Sequence, residues 1–300
     1  MYHFISFLTG GLLSIMILIN GQLTSSVGIY PATAIIHLVG VLFALVLCLV
    51  RKEKPLPRSR SPWWFYLGGV VGVFTTVANN MAFGRITMTS IVALGLLGQT
   101  VASLVIDASG WLGMTRRAFR PSTLIGLVFC LAGIVVMLDH SVLEAALAVW
   151  FSLGAGISIV VSRSINARLA EKIGPLPGSF VNHLAGLPVT LILVGLTAKN
   201  APRPVFPTGF GSWLYLGGVL GVLGVLLFNI LVPKISQFHL TVLTFVGQVL
   251  TGVVIDLFMG GFTADASFWG GLLIALGISL NLALEYRAHR KRNAAASPPN

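Results

Sequence analysis

Residues 64–86 read WFYLGGVVGVFTTVANNMAFGRI, and residues 213–235 read WLYLGGVLGVLGVLLFNILVPKI. At a shift of 149 Tyr66 falls on Tyr215 and Asn80 on Asn229. The same shift carries Gly98-Gln99 onto Gly247-Gln248 and Asp107 onto Asp256. Upstream the shift is 146, carrying Asn20 onto Asn166, Pro31 onto Pro177, His37 onto His183 and Gly40 onto Gly186. Polar residues recurring at fixed offsets in so apolar a chain mark an internal duplication.

The duplicated unit is a membrane unit. Hydrophobic residues make up 56% of the 300 and charged residues 9%, where a soluble domain is roughly 25% charged. A spanning helix takes about 20 apolar residues, roughly 30 with its turn, so the chain has room for about ten crossings and no soluble domain. Composition therefore excludes a cytosolic enzyme, a nucleic-acid binder and a secreted disulfide scaffold. Cys48 and Cys130 sit inside apolar runs and read as small buried hydrophobes. No basic region precedes the first apolar run, so no removable signal peptide is expected.

Ten spans are predicted: Phe4–Thr24, Pro31–Val50, Trp63–Phe83, Thr89–Ile106, Pro121–Leu138, Val142–Val161, Pro177–Thr197, Trp213–Val232, Phe238–Ile255 and Ser267–Tyr286. They divide into a first five-helix repeat (1–140), a second (141–286) and a basic cytoplasmic tail (287–300). With ten crossings, sixteen of the 19 Lys and Arg residues fall on one side, Arg163 among them, and only Arg85, Lys199 and Arg203 on the other. Loops rich in Lys and Arg stay in the cytoplasm, so both termini are expected there. The +11 charge is thus a topology signal, not a sign of a nucleic-acid partner. Because five is odd, the second repeat enters from the opposite face. The expected fold is all-α integral membrane, with ten transmembrane helices as two inverted five-helix repeats. Such repeats build secondary transporters whose sites lie between the halves near midplane.

Asn20, His37, the run Leu67-Gly68-Gly69-x-x-Gly72 and Gly98-Gln99…Asp107 together resemble the YdcZ-type branch of the drug/metabolite transporter superfamily. Most members of that branch resemble one five-helix half, and this chain resembles two fused. The resemblance implies inverted-repeat export of small metabolites or drugs across a bacterial inner membrane by alternating access, with proton antiport as its coupling. It names no substrate.

Polar side chains inside a bilayer usually face the bundle interior or a watery cavity. Gln99 and Gln248, mid-helix in four and nine, are candidates to line a substrate cavity, the alternative being interhelical glue. His37 and His183 are candidates for proton coupling, because histidine changes charge near neutral pH; a neutral packing role is the plainer reading. Two related clusters are expected, an outer one of Asn20, His37 and Asn80 and an inner one of Asn166, His183 and Asn229, one near each mouth. Asp107 and Asp256 end helices four and nine and are further coupling candidates, or hydrated interfacial residues. Glu144 has no counterpart in the first half. No carboxylate lies at midplane, which argues against permanently cationic cargo and for neutral, zwitterionic or weakly basic metabolites. Gly68-x-x-x-Gly72 and Gly217-x-x-x-Gly221 read as close-packing spacings, and Trp63, Trp64, Tyr66, Trp213 and Tyr215 as interfacial anchors.

No phosphate loop or H-E-x-x-H, G-x-S-x-G or C-x-x-C motif occurs, so neither ATP drive, a cofactor nor a metal is expected. The partners expected are membrane lipids and a small-molecule substrate, with the chain a monomer or homodimer. Two rivals stand beside transport. One is a flippase for lipid-linked substrates on the same fold. The other is an intramembrane channel or enzyme, for which His37 with Asp107 is the only acid–base candidate.

Overall fold

The computed structural model describes residues 1–56, 61–82, 85–86, 88–117, 121–138, 145–197, 206–259 and 266–296. Asp139, Glu144, Lys199, Arg203 and Asp265 lie outside them, as do the side chains of Asn80, Asp256 and Glu285. Among the described residues the chain forms ten α-helices and no strand: α1 (Tyr2–Val27), α2 (Ile29–Val50), α3 (Gly68–Ala82), α4 (Met88–Ser109), α5 (Pro121–Met137), α6 (Ala146–Ile173), α7 (Pro175–Thr197), α8 (Leu216–Leu231), α9 (Gln237–Met259) and α10 (Ala266–Ala296). Seven helical stretches are long and apolar enough to cross a membrane. The chain is a helical membrane protein.

Local chemistry sets the boundaries. α1 and α2 are joined by Gly28 alone, and α6 and α7 by its repeat counterpart Gly174. Their φ values of +83° and +98° are tolerated without penalty only by glycine. Because the turns are so short, α2 and α7 start two residues earlier than Pro31 and Pro177, which fall in their first turns. The expected aromatic anchors form 3₁₀ turns, Trp63–Leu67 before α3 and Gly209–Tyr215 before α8.

Two helix ends depart further from the sequence reading. α10 continues past Tyr286 to Ala296, so most of the expected tail is helical. α6 does not end near Val161 but runs to Ile173, so Arg163 lies inside the bundle, 3% exposed, and not in a cytoplasmic loop. Its hydrogen-bond partners come from other helices and engage Nε and Nη2, while Nη1 has no partner among the described residues. That removes Arg163 from the sixteen loop charges.

Lipid is as apolar as leucine, so helices associate in a membrane through close packing and polar contacts. Here glycines make the close approaches, in pairs related by the duplication. A methyl at Gly10 would overlap the Thr244 carbonyl of α9, and one at Gly156 the Gly95 carbonyl of α4. Likewise Gly247 abuts the Phe7 carbonyl and Gly98 the Leu153 carbonyl. Each contact maps onto its partner under the shifts of 146 and 149 seen in the sequence.

The helix pairing obeys the same exchange. α1 packs on α9 as α6 packs on α4, and α1 on α8 as α6 on α3; α2 on α7, α4 on α9 and α5 on α10 map onto themselves. Directions follow from residue contacts. Along α1 and α9, Phe7 meets Gly247, Gly11 meets Thr251 and Ser14 meets Gly252, so the two run parallel. Along α5 and α10, Gly126 meets Asn281 and Gly133 meets Ile274, so they run antiparallel. The start of α1 shares a cluster with Ala167, Leu231 and Leu240. This is called the terminal end below, and the opposite one the distal end.

Candidate functional site

α2 and α7 cross at their histidines. The ring centroids of His37 and His183 are 5.7 Å apart and the planes are tilted by 51°. Gly40 stands against the His183 ring and Gly186 against the His37 ring, where a methyl would overlap each imidazole. Nδ1 of His37 donates to the Thr33 carbonyl at 2.9 Å, and Nδ1 of His183 to the Ser179 carbonyl at 2.9 Å. A carbonyl can only accept, so each neutral ring holds its hydrogen on Nδ1 and keeps a lone pair on Nε2.

This corrects the expectation of one histidine near each mouth. With α2 starting at Ile29 and α7 at Pro175, each histidine lies within about 5 Å of its helix midpoint at 1.5 Å per residue. The pair sits where the two halves exchange.

The asparagines fall around it. Asn229 donates from Nδ2 to the Pro175 carbonyl at 3.0 Å and to Ser179 Oγ at 3.4 Å, so it ties α8 to the first turn of α7. Asn166 donates to Asn182 Oδ1 at 2.7 Å. It reaches the residue before His183 and not the ring, contrary to the expected Asn–His contact. The Oδ1 atoms of Asn166 and Asn20 have no N–H or O–H donor; each lies against a glycine Cα, Gly68 and Gly217 respectively. That recurring geometry is a Cα–H···O contact, and it gives both small-residue spacings the packing role read from sequence.

Gln99 and Gln248 are half-buried at the other crossings. Their backbones touch Gly156 and Gly10, and no protein group described bonds either side-chain amide. The structure does not join Asp107 to His37. The Asp107 carboxylate accepts from the backbone N–H groups of Gln237 and Phe238, both at 2.9 Å, and so caps α9.

The sequence reading missed Arg163. Its Nε donates to Gln237 Oε1 at 2.7 Å, and its Nη2 to Thr241 Oγ1 at 2.6 Å, the Gln237 carbonyl at 3.1 Å and Ser103 Oγ at 3.2 Å. Gln237 in turn donates to Ser164 Oγ at 3.0 Å, and the guanidinium lies 5.8 Å from the Phe228 ring centroid. A signal existed in the repeat. Arg163, Ser164, Gln237, Thr241 and Ser103 correspond to Ile17, Leu18, Met88, Val92 and Gly252, a cluster of polar departures at one end of the bundle.

The two ends also differ in packing. At the distal end a narrow cleft, too tight to hold a water molecule, lies between α2, α3 and α7, lined by Tyr30, Thr33, Val73, Thr76, Val77, Thr190 and Leu193. Among the repeat counterparts at the terminal end, Leu176, Val222, Ala44, Leu47 and Leu226 all belong to one packed apolar cluster with Cys48, Phe65 and Leu169. α6 packs on α8 at that end, whereas α1 and α3 make no comparable contact among the described residues. A small polar groove at the terminal end lies outside this plug, between the chain after α4 and the turn before α9.

The family described as "Putative inner membrane exporter, YdcZ" matches the chain twice, over residues 1–136 and 147–280. The chain belongs to that family. Its two matches follow the two halves related by the sequence shifts, and the YdcZ family is one of membrane transporters. A solved structure described as "Crystal structure of protein" superposes with a TM-score of 0.72 over 96% of this chain and 97% of its own, at 17% identity. That likeness concerns the fold alone. No curated protein matches the chain.

Proposed function

We propose that this YdcZ-family chain is a secondary transporter exporting small metabolites across the inner membrane by alternating access, with ten crossings arranged as two inverted five-helix repeats. The observation that carries the reading is the inequality of two ends that the repeat makes equivalent: a cleft at the distal end, a packed plug at the terminal end. A symmetric pair of halves packed tightly at one end and more loosely at its twin is what one state of a two-state cycle would show. The parallel and antiparallel helix directions support ten alternating crossings. Basic residues at the terminal end support a cytoplasmic assignment for both termini.

In this reading His37 and His183 carry the coupling proton. A proton added at either Nε2 turns that acceptor into a donor at the crossing of the halves. A second would place two cations about one ring contact apart, so the pair takes one at a time. Gln99 and Gln248, with free amides at the neighbouring crossings, line the substrate path. Asn20 and Asn166 hold the glycine faces on which α8 and α3 move.

The test is a metabolite panel on purified protein, read by thermal shift and then by solid-supported-membrane current at two pH values. Wild-type protein is expected to give a substrate current whose size follows the imposed pH gradient. H37Q and H183Q should bind the same substrate while losing that dependence on the gradient. An unchanged pH dependence in both variants removes the histidines from coupling.

A further inference from the structure

Arg163 is a buried charge that the transport reading leaves without a role. It belongs to α6 of the second half, yet it donates to Ser103 on α4 of the first. It also holds the start of α9 through Gln237 and Thr241. Asp107, again from the first half, caps the same first turn of α9, and Ser103 Oγ is itself 2.8 Å from Thr241 Oγ1. The five side chains therefore tie α4, α6 and α9 together level with that turn. Phe228 on α8 packs against the guanidinium, and the α6–α8 contact lies beside the apolar plug that shuts this end.

The Arg163 hydrogen bonds have no counterpart at the other end. The repeat places Ile17 where Arg163 stands, with Val92, Met88 and Gly252 in place of its three partners. No side chain in that set can donate a hydrogen bond, and only the Met88 thioether can accept one, weakly.

We infer that Arg163, with Ser103, Gln237 and Thr241, is a one-sided latch that holds the cytoplasmic mouth shut and makes the outward-facing state the resting one. The inference rests on the alternating-access reading. Opening the cytoplasmic mouth breaks the Arg163–Ser103 bond between the halves and exposes the plug. Opening the outer mouth breaks no equivalent bond. Arg163 acts here as a positioning residue, setting which state is populated without touching the cargo.

Cys48 is a native reporter. It is fully buried inside the plug, while Cys130 is fully buried elsewhere, against Thr100. In inside-out vesicles a membrane-impermeant maleimide is added and each cysteine is followed by mass spectrometry. Wild type should label slowly at Cys48. R163I, which installs the residue of the first half, should label Cys48 at least about tenfold faster with Cys130 unchanged. S103A keeps the charge paired on α9, removes the two Ser103 bonds between the halves and guards against misfolding; it should give a several-fold rise at Cys48. Slow wild-type labelling with no rise in either variant overturns the latch and leaves alternating access standing. Parallel acceleration of both cysteines also overturns it, since Arg163 would then hold the fold and not a mouth. No labelling of Cys48 in any of the three proteins overturns the latch and alternating access together.

Discussion

G156L is expected to leave almost no folded protein in the membrane, and G10L to do the same. At both positions the neighbour is not a side chain that can rotate away but the backbone of another helix, Gly95 and Gln99 for one, Thr244 and Gln248 for the other. Adding methylenes to a packed interior typically costs about 1–3 kcal/mol. Here whole helices must separate, so the loss should exceed about 3 kcal/mol and most of a marginal stability. G21L and G195L are the controls, because nothing stands within 4 Å of either site. Monodisperse yield and melting temperature in detergent measure the difference. Equal yields for all four variants would mean that these glycines do not set the helix crossings.

Q99L and Q248L have the second largest effect, on flux and not on folding. Leucine keeps roughly the volume and leaves the neighbouring glycine contacts alone, so both variants should insert and melt as wild type does. What they lose is an amide free of protein hydrogen bonds at each crossing beside the exchange axis. A hydrogen bond to a ligand in a desolvated site is worth about 1–3 kcal/mol, so each variant should lose roughly tenfold to a hundredfold in uptake by proteoliposomes. The double variant should be inactive. Wild-type flux in both single variants would sink the site assignment.

The duplication was legible because it left polar marks in an apolar chain. Asn20 and Asn166, His37 and His183, and Gly98 and Gly247 come to equivalent places in three dimensions, as their fixed offsets require. Hydropathy alone also placed ten helices, with most ends wrong by only a few residues. The errors have physical causes. The histidines met at the centre because Gly28 and Gly174 make turns of one residue, a conformational fact that hydropathy does not carry. Arg163 read as a loop residue because an arginine beside an apolar run usually marks an interface. Its partners Ser103, Gln237 and Thr241 lie 60 or more positions away, so no local window holds them. Asp107 offered a carboxylate for proton transfer, but the N–H groups of α9 that engage it come from the other half. In each case what the sequence withheld was a contact between residues far apart in the chain. The glycine spacings of α3 and α8 were legible as packing sites, although the asparagines that meet them come from the other repeat.

Alternating access between the repeats is tested most directly by two distances that the duplication makes equivalent. Spin labels at Ser25 on α1 and Met81 on α3 span the distal end. Labels at their counterparts, Glu171 on α6 and Ile230 on α8, span the terminal end. Pulsed electron-resonance distance distributions are recorded for each pair in lipid across pH 5 to 9, with and without the substrate found in the screen. Alternating access predicts two populations for each pair that exchange in opposite directions, the distal distance shortening as the terminal one lengthens. A single unchanging distance at both ends, or two ends that open together, would contradict it.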